Sequence, residues 1–286
     1  MMTKKKKVTI AVSVVATVLV IAIIAIACAA HFVGFPKCVG EKKYSYTTKE
    51  IHVEHDGINL FGKALIPKGE SGAKYPTVIY AHGAESDYKA DMTTLQCLAK
   101  SGIACYTFDF YGWTTRSTGP KGTKWFKGTK RGVDDAYEKQ VLEQVKDLNA
   151  VIEKVKTFDF VDTDNIFLLG SSMGGATVAT CAVTHSDDIR AIILQYPAIN
   201  LNPDANVDGA TNDVNKYTKN VLLLQGTADK IVPLSMSETL CAHYNKYNAN
   251  HCKMVVYEGQ PHVFTGKYKV EAAKEIYAFL KNEMAK

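Results

Sequence analysis

No pair of the seven cysteines is separated by two residues, so the sequence lacks the spacing that a structural zinc knuckle requires. Internal repeats and low-complexity tracts are also missing, and a chain that is 47% hydrophobic and 22% charged has the composition of a folded protein. Acidic residues are absent before residue 41, and charge of either sign is absent from Val8 to Ala30. The formal net charge of +5 is therefore local: five of the 34 lysines and arginines fall in the first forty residues, leaving 29 basic against 29 acidic residues in the rest. A neutral body argues against a nucleic-acid surface, which needs a concentrated basic face and not merely a basic pI.

The uncharged run has its own logic. "KKKK" at 4–7 precedes 23 residues whose only hydroxyl groups are those of Thr9, Ser13 and Thr17. As a helix this run reaches about 34 Å, against a hydrocarbon core of about 30 Å. Residues 1–7 thus read as a cytoplasmic basic segment and 8–30 as a transmembrane signal anchor, which puts the body outside the cytoplasm at the cell membrane. A cleaved signal peptide ending near "ACAA" competes, although its apolar region is normally shorter, about 7 to 15 residues. A lipoprotein signal at Cys28 also competes, but "AIAC" lacks the usual leucine. Residues 31–46, "HFVGFPKCVGEKKYSY", read as a linker, and 47–286 as the body.

The body opens with "KEIHVEHDGINLFGKALIP", two arms around Asp56-Gly57 that predict a hairpin. Apolar runs then alternate with helical stretches. "PTVIYAHG" precedes a helix near 89–101, "IACYTFDFYG" one near 133–157, and "NIFLLGSS" one near 174–185. "RAIILQYPA", "NVLLLQGTAD", a helix near 234–247, "CKMVVYEG" and a closing helix near 267–284 complete the pattern. Near-continuous apolar strands alternating with helices predict an α/β fold, a mostly parallel central sheet covered on both faces.

In such sheets chemistry gathers beyond the carboxyl ends of the strands. "LLGSSMGGA" puts Ser172, and not Ser171, between glycines two residues to either side, the pattern of a nucleophile on a sharp strand-to-helix turn. Asp229 in "GTADKIVP" and His262 in "EGQPHVF" follow two later strand ends. A hydroxyl that attacks a carbonyl needs an imidazole to take its proton, and the imidazole needs a carboxylate to fix its tautomer. The amides of Ala84, in "HGAES", and Met173 are the candidate donors to the developing oxyanion.

With "HGAES", "FDFYG", "GSSMGG", "GTADKIVP" and "GQPHVF" in that order, residues 47–286 resemble the α/β-hydrolases. Among them the chain is most similar to bacterial cinnamoyl or feruloyl esterases, monoacylglycerol-lipase-like hydrolases and serine-aminopeptidase-like members. The resemblance implies Ser172 as nucleophile, Asp229 as orienting acid, His262 as general base, and Ala84 and Met173 as amide donors. It implies a carboxylesterase working through an acyl-enzyme on a small-molecule ester, without metal or organic cofactor. A peptidase or acyltransferase on the same machinery is the alternative, and a catalytically dead binding protein the next. Where many close relatives carry Gln after the nucleophile this chain has Met173, which keeps the amide and loses the side-chain contact.

Other residues have quieter readings. His82 is expected to brace the donor turn, Asp109 to hold loops together, and Glu85 to face solvent or meet a cationic part of the substrate. Asp204, Asp208 and Asp213 are reserve candidates for the acid. Cys105 and Cys181 read as buried, and Cys241 and Cys252 as a pair able to form a disulfide. The family often inserts a lid before the strand that leads to the acid, but "INLNPDANVDGATNDVNKYTKN" at 199–220 lacks helical apolar spacing. The lid is expected to be minimal or absent and the segment to form no packing helix. The walls of an open, shallow site then fall to Trp113, Trp125 and Phe126, in the loop from Tyr111 to Arg131.

The anchor reading has a direct consequence. Protease added to intact cells should digest the body and leave cytoplasmic markers whole; a body protected until the cells are lysed would refute the orientation.

Overall fold

In the computed structural model the described residues are 39–40, 42–126, 135–199, 201, 212–247 and 249–285. The basic segment and the apolar run lie outside them. Among the described residues no helix is long and apolar enough to cross a membrane.

The body's central strands are apolar on both faces because both faces are covered. β5 (Tyr75–Ala81), β6 (Ala104–Phe108), β7 (Val161–Ser171), β8 (Ala191–Gln195), β9 (Val221–Gly226) and β10 (Cys252–Tyr257) run parallel. β1 (Tyr46–Glu50) and β4 (Gly62–Pro67) add an antiparallel edge, giving the order β1-β4-β6-β5-β7-β8-β9-β10. Successive residues alternate between two cores: Ile79, Leu168, Ile192 and Leu223 enter one, and Val78, Leu169, Ile193 and Leu222 the other. The first core is closed by α2 (Asp135–Val155), α3 (Met173–Thr184) and α4 (Leu234–Tyr247), and the second by α1 (Met92–Lys100) and α5 (Gly266–Met284). Strands that bury side chains on both faces need two helical layers, so this is the α/β-hydrolase architecture the sequence implies.

The hairpin is present but divided. β2 (Val53–His55) and β3 (Ile58–Leu60) form a separate two-stranded ribbon across Asp56 and Gly57, whose φ values of 46° and 75° suit a tight primed turn. The outer parts of the two arms, β1 and β4, instead join the main sheet.

Two expectations are corrected. The linker reading holds too much chain, because the amides of Val39 and Gly40 donate to Ser101 Oγ and that of Tyr44 to the Lys100 carbonyl, so residues 39–40 and 42–46 pack on the body. Within 199–220 a 3-10 helix forms at Asn212–Lys216, and Val214 within it and Tyr217 just after it are fully buried. Two apolar residues three apart suit a three-residue turn, a spacing that a search for α-helical faces passes over. Residues 202–211 of that segment lie outside the described residues. Cys241 and Cys252 are free thiols, and Cys241 Sγ donates to the Cys252 carbonyl at 3.4 Å. Cys105 and Cys181 are fully buried.

Asp109 does hold loops together. Fully buried at the end of β6, it accepts from the Tyr88 amide at 2.8 Å, Thr114 Oγ1 at 2.7 Å and Arg116 Nε at 2.6 Å, while Arg116 also reaches Asp87. Asp109→Ala should destabilise the body by about 3 kcal/mol in urea unfolding, because it strands buried donors that water cannot reach; an unchanged midpoint would contradict this.

Candidate active site

β6 and β7 lie on either side of β5, so the chain leaves β5 in one direction and, after β6, returns to the other side. This reversal opens a crevice beyond the carboxyl ends of β5 and β7, where Ala84 and Ser172 both sit.

Ser172 joins β7 to α3 with φ 55° and ψ −120°, a conformation that side chains rarely adopt. Close approach enforces it. A Cβ on Gly170 would strike the Gly174 carbonyl, and one on Gly174 would strike the carbonyls of Ala81 and His82. The turn is then locked on all sides: the Ser172 amide donates to the Gln195 carbonyl, and its own carbonyl accepts from Gly175, Ala176 and Ala198. Ser171, one residue earlier, points elsewhere; its hydroxyl donates to Gln195 Oε1 at 2.8 Å and accepts from Tyr80.

β9 and β10 end level, Gly226 opposite Tyr257, and the loops that follow are bonded to each other through Thr227, Ala228, Gly259 and Gln260. This brings Asp229 and His262 together. His262 Nδ1 lies 2.7 Å from Asp229 Oδ2, and His262 Nε2 lies 3.0 Å from Ser172 Oγ. With the Asp229 side chain fully inaccessible, Nδ1 carries the proton and Nε2 is left to accept from the serine. Burial pushes the Asp229 carboxyl up, but hydrogen bonds from His262 and from the amides of Val232 and Ile231 outweigh it and hold the group below the usual carboxylate range. The Tyr196 ring packs against the imidazole, centroid to centroid 4.8 Å. Of the reserve acids, Asp213 pairs with Lys216, and Asp204 and Asp208 lie outside the described residues.

Gly83 packs within 3.2 Å of Ser172 Cβ, measured from where its own Cβ would stand, and Ala84 follows it in the chain. Among the described residues neither the Ala84 nor the Met173 amide donates to a protein acceptor. His82 braces this turn: fully buried, its Nδ1 meets the Gly83 carbonyl at 2.7 Å and its Nε2 accepts the Phe110 amide at 3.2 Å. Glu85 is exposed, with φ 56°.

The three predicted wall residues form one cluster. Trp125 and Phe126 stack with centroids 4.0 Å apart, and Phe126 meets Trp113 at 5.1 Å. Trp113 lines a cavity of about 410 Å³ next to the Ala84 turn, with Glu85, Asp87, Thr114 and Arg116. Two exposed apolar residues that the sequence reading missed flank the triad, Ile231 at 50% and Val263 at 56% exposure. Gln225 was also missed, a fully buried amide whose Nε2 donates to Asp229 Oδ2 at 3.1 Å; its only signal is a polar residue ending an apolar strand. Among the described residues one group has metal-capable spacing, Glu153, His185 and Asp188, and Lys156 already bridges its two carboxylates.

The family described as serine aminopeptidase, S33, matches residues 73–211, and the prolyl oligopeptidase family matches residues 202–286. Among curated proteins nothing matches. Among solved structures, the chain is similar to Est1E from Butyrivibrio proteoclasticus with ferulic acid bound, at 25% identity and a TM-score of 0.64, covering 82% of this chain and 100% of that one. The Pyrococcus furiosus esterase Pf2001 superposes with a TM-score of 0.58 at 22% identity, over 84% of this chain and 93% of that one. TT1662 from Thermus thermophilus does so at 0.62 and 19%, over 82% and 98%.

Burial holds the His82 imidazole below its ordinary pKa, outweighing the Gly83 carbonyl and the charges of Asp109 and Asp87. Above about pH 6.5 His82 is neutral folded or unfolded, whereas below it the unfolded chain takes a proton that the folded one refuses, so stability falls with falling pH. Urea unfolding should show His82→Gln losing less stability than the parent between about pH 7.5 and 5. Identical losses would contradict the buried neutral tautomer.

Proposed function

Because this chain belongs to the α/β-hydrolase superfamily, we propose that it is a serine hydrolase, a carboxylesterase that cleaves small-molecule esters through an acyl-enzyme. The observation that carries the reading is the continuous path from Ser172 Oγ through His262 to Asp229. In this reading Ser172 Oγ attacks the ester carbonyl as His262 Nε2 takes its proton, and the imidazolium is stabilised by the ionised Asp229. The oxyanion is met by the amides of Ala84 and Met173, which have no competing acceptor among the described residues. His262 then returns the proton to the departing alcohol, and water enters by the same steps in reverse. Trp113, Trp125 and Phe126 form an apolar wall for the acyl or aryl group. Ferulic acid bound to Est1E supports an aromatic acid as the acyl part.

A second reading has its own support. Both matching families are described as peptidases, and a serine that attacks an ester also attacks an amide. The apolar run behind four lysines supports the body's attachment to the outer face of the cell membrane, which would restrict the enzyme to substrates outside the cytoplasm.

Ser172→Ala should abolish both fluorophosphonate labelling and hydrolysis of p-nitrophenyl acetate, a loss of at least about 10³-fold. Ser171→Ala should retain both within about tenfold, because that hydroxyl serves Gln195 and Tyr80. Equal losses would refute the assignment of the nucleophile. Comparing kcat/KM on a feruloyl ester with that on an aminoacyl anilide decides between the two readings.

A further inference from the structure

We propose that Gln225 is a positioning residue for the acid–base pair, acting through the carboxylate oxygen that also receives the His262 proton. The proposal rests on the hydrolase reading of the same site.

Gln225 stands one residue from the end of β9 and is fully buried. Its carboxamide can be oriented in only one way. Nε2 faces three oxygens, Asp229 Oδ2 at 3.1 Å, the Val232 carbonyl at 3.1 Å and the Gly226 carbonyl at 3.3 Å. Oε1 accepts from Ser237 Oγ at 2.7 Å, and Ser237 is itself fully buried on α4. Turned over, the amide would set oxygen against three acceptors and nitrogen against a donor's oxygen. The three oxygens therefore fix the Gln225 amide, Ser237 completes its bonds, and Gln225 in turn bonds Asp229.

The Asp229 carboxylate is saturated as a result. Oδ1 takes the Ile231 and Val232 amides, and Oδ2 takes His262 and Gln225. Backbone amides on one oxygen set the position of the carboxylate but leave it free to twist about its own axis. The Gln225 N–H on the other oxygen stops that twist and keeps Oδ2 aligned with His262 Nδ1. It also draws off charge. Without it, the Oδ2 charge bears on the imidazole alone and the imidazolium is held more tightly. No water can replace the lost donor, because the Asp229 side chain has no accessible surface.

The test uses the full-length protein with p-nitrophenyl acetate, following kcat, KM and pH profiles. Gln225→Leu keeps the volume and removes the donor. It should lower kcat by about 10- to 100-fold, the worth of a hydrogen bond to a charged group, leave KM within about twofold, and move the acidic limb of kcat/KM to higher pH. Gln225→Glu keeps the shape. While protonated it donates to Oδ2 and accepts from Ser237, so it should recover most of the lost kcat at low pH and lose it again as the pH rises and two carboxylates face each other. Should the leucine variant fail to fold by circular dichroism, Gln225→Met, which likewise lacks the donor, should give the same loss of kcat and the same limb shift. A merely structural amide would give either unchanged kinetics in a folded leucine variant or equal losses at every pH in both variants, and either result overturns the proposal. Absence of fluorophosphonate labelling in the unaltered protein would instead overturn the hydrolase reading, and this proposal with it. Normal labelling of the parent, with unchanged kinetics in the variants, removes only the role of Gln225.

Discussion

The site depends on a backbone approach too close for any side chain. Where β7 turns into α3, positions 170 and 174 each press against main-chain carbonyls, Gly170 against Gly174 and Gly174 against Ala81 and His82. No conformational change of a neighbour relieves contact with a carbonyl in a packed sheet, so both positions must be glycine. That approach pulls the end of β5 onto the start of α3. Ser172, at the start of α3, is held there in its unusual φ. The strain is of order 1–3 kcal/mol and persists because the surrounding hydrogen bonds over-determine it. The Gln195 carbonyl holds the Ser172 amide, and three following amides hold its carbonyl.

The other half of the triad is placed by register. Parallel strands β9 and β10 end level, so their loops leave the sheet side by side and bond to each other before either turns back. A Cβ on Gly226 would run into the Gln260 carbonyl, which shows how tightly the two loops are joined. The Asp229 side chain has no accessible surface, and burial by itself pushes its carboxyl up. Four donors keep it ionised, and an ionised Asp229 keeps the His262 proton on Nδ1. One electrostatic condition thus decides which ring nitrogen carries the proton.

The sequence made legible whatever depends on periodicity and on strand ends. Apolar runs such as "NIFLLGSS" and "NVLLLQGTAD" mark two-faced strands because every residue in them must be buried, and the residues just past them are the ones a parallel sheet exposes at its active edge. Ser172 was separable from Ser171 because glycine at both flanking positions has a steric meaning. Contacts distant in sequence were not legible. Nothing in "EKKYSY" announces that Tyr44 bonds the end of α1, 56 residues later. Val214 and Tyr217 bury themselves through a turn too short for a helical pattern to register. Gln225 looked like an ordinary strand residue because its partners, Asp229 and Ser237, define it only once β9, the acid loop and α4 are packed.

Polar side chains, not apolar ones, fix the loops at the active edge. His82 joins the donor turn to the end of β6 through the Phe110 amide, Asp109 ties the turn after β5 to the segment after β6, and Asp147 on α2 takes both the Tyr111 amide and His55. Each of these groups is buried and each bonds backbone or charge from a different element. A loop packed only by apolar contacts can slide at little cost, whereas one pinned by a buried hydrogen bond cannot move without leaving a donor or acceptor unsatisfied. In the aromatic cluster the bonds come from the backbone: the Trp113 amide donates to the Phe110 carbonyl and the Phe126 amide to the Gly112 carbonyl, while the rings pack on one another and Lys121 Nζ lies over Trp125. The Gly83 turn and the triad are thus held by directional side-chain bonds, and the aromatic cluster by ring packing together with backbone bonds.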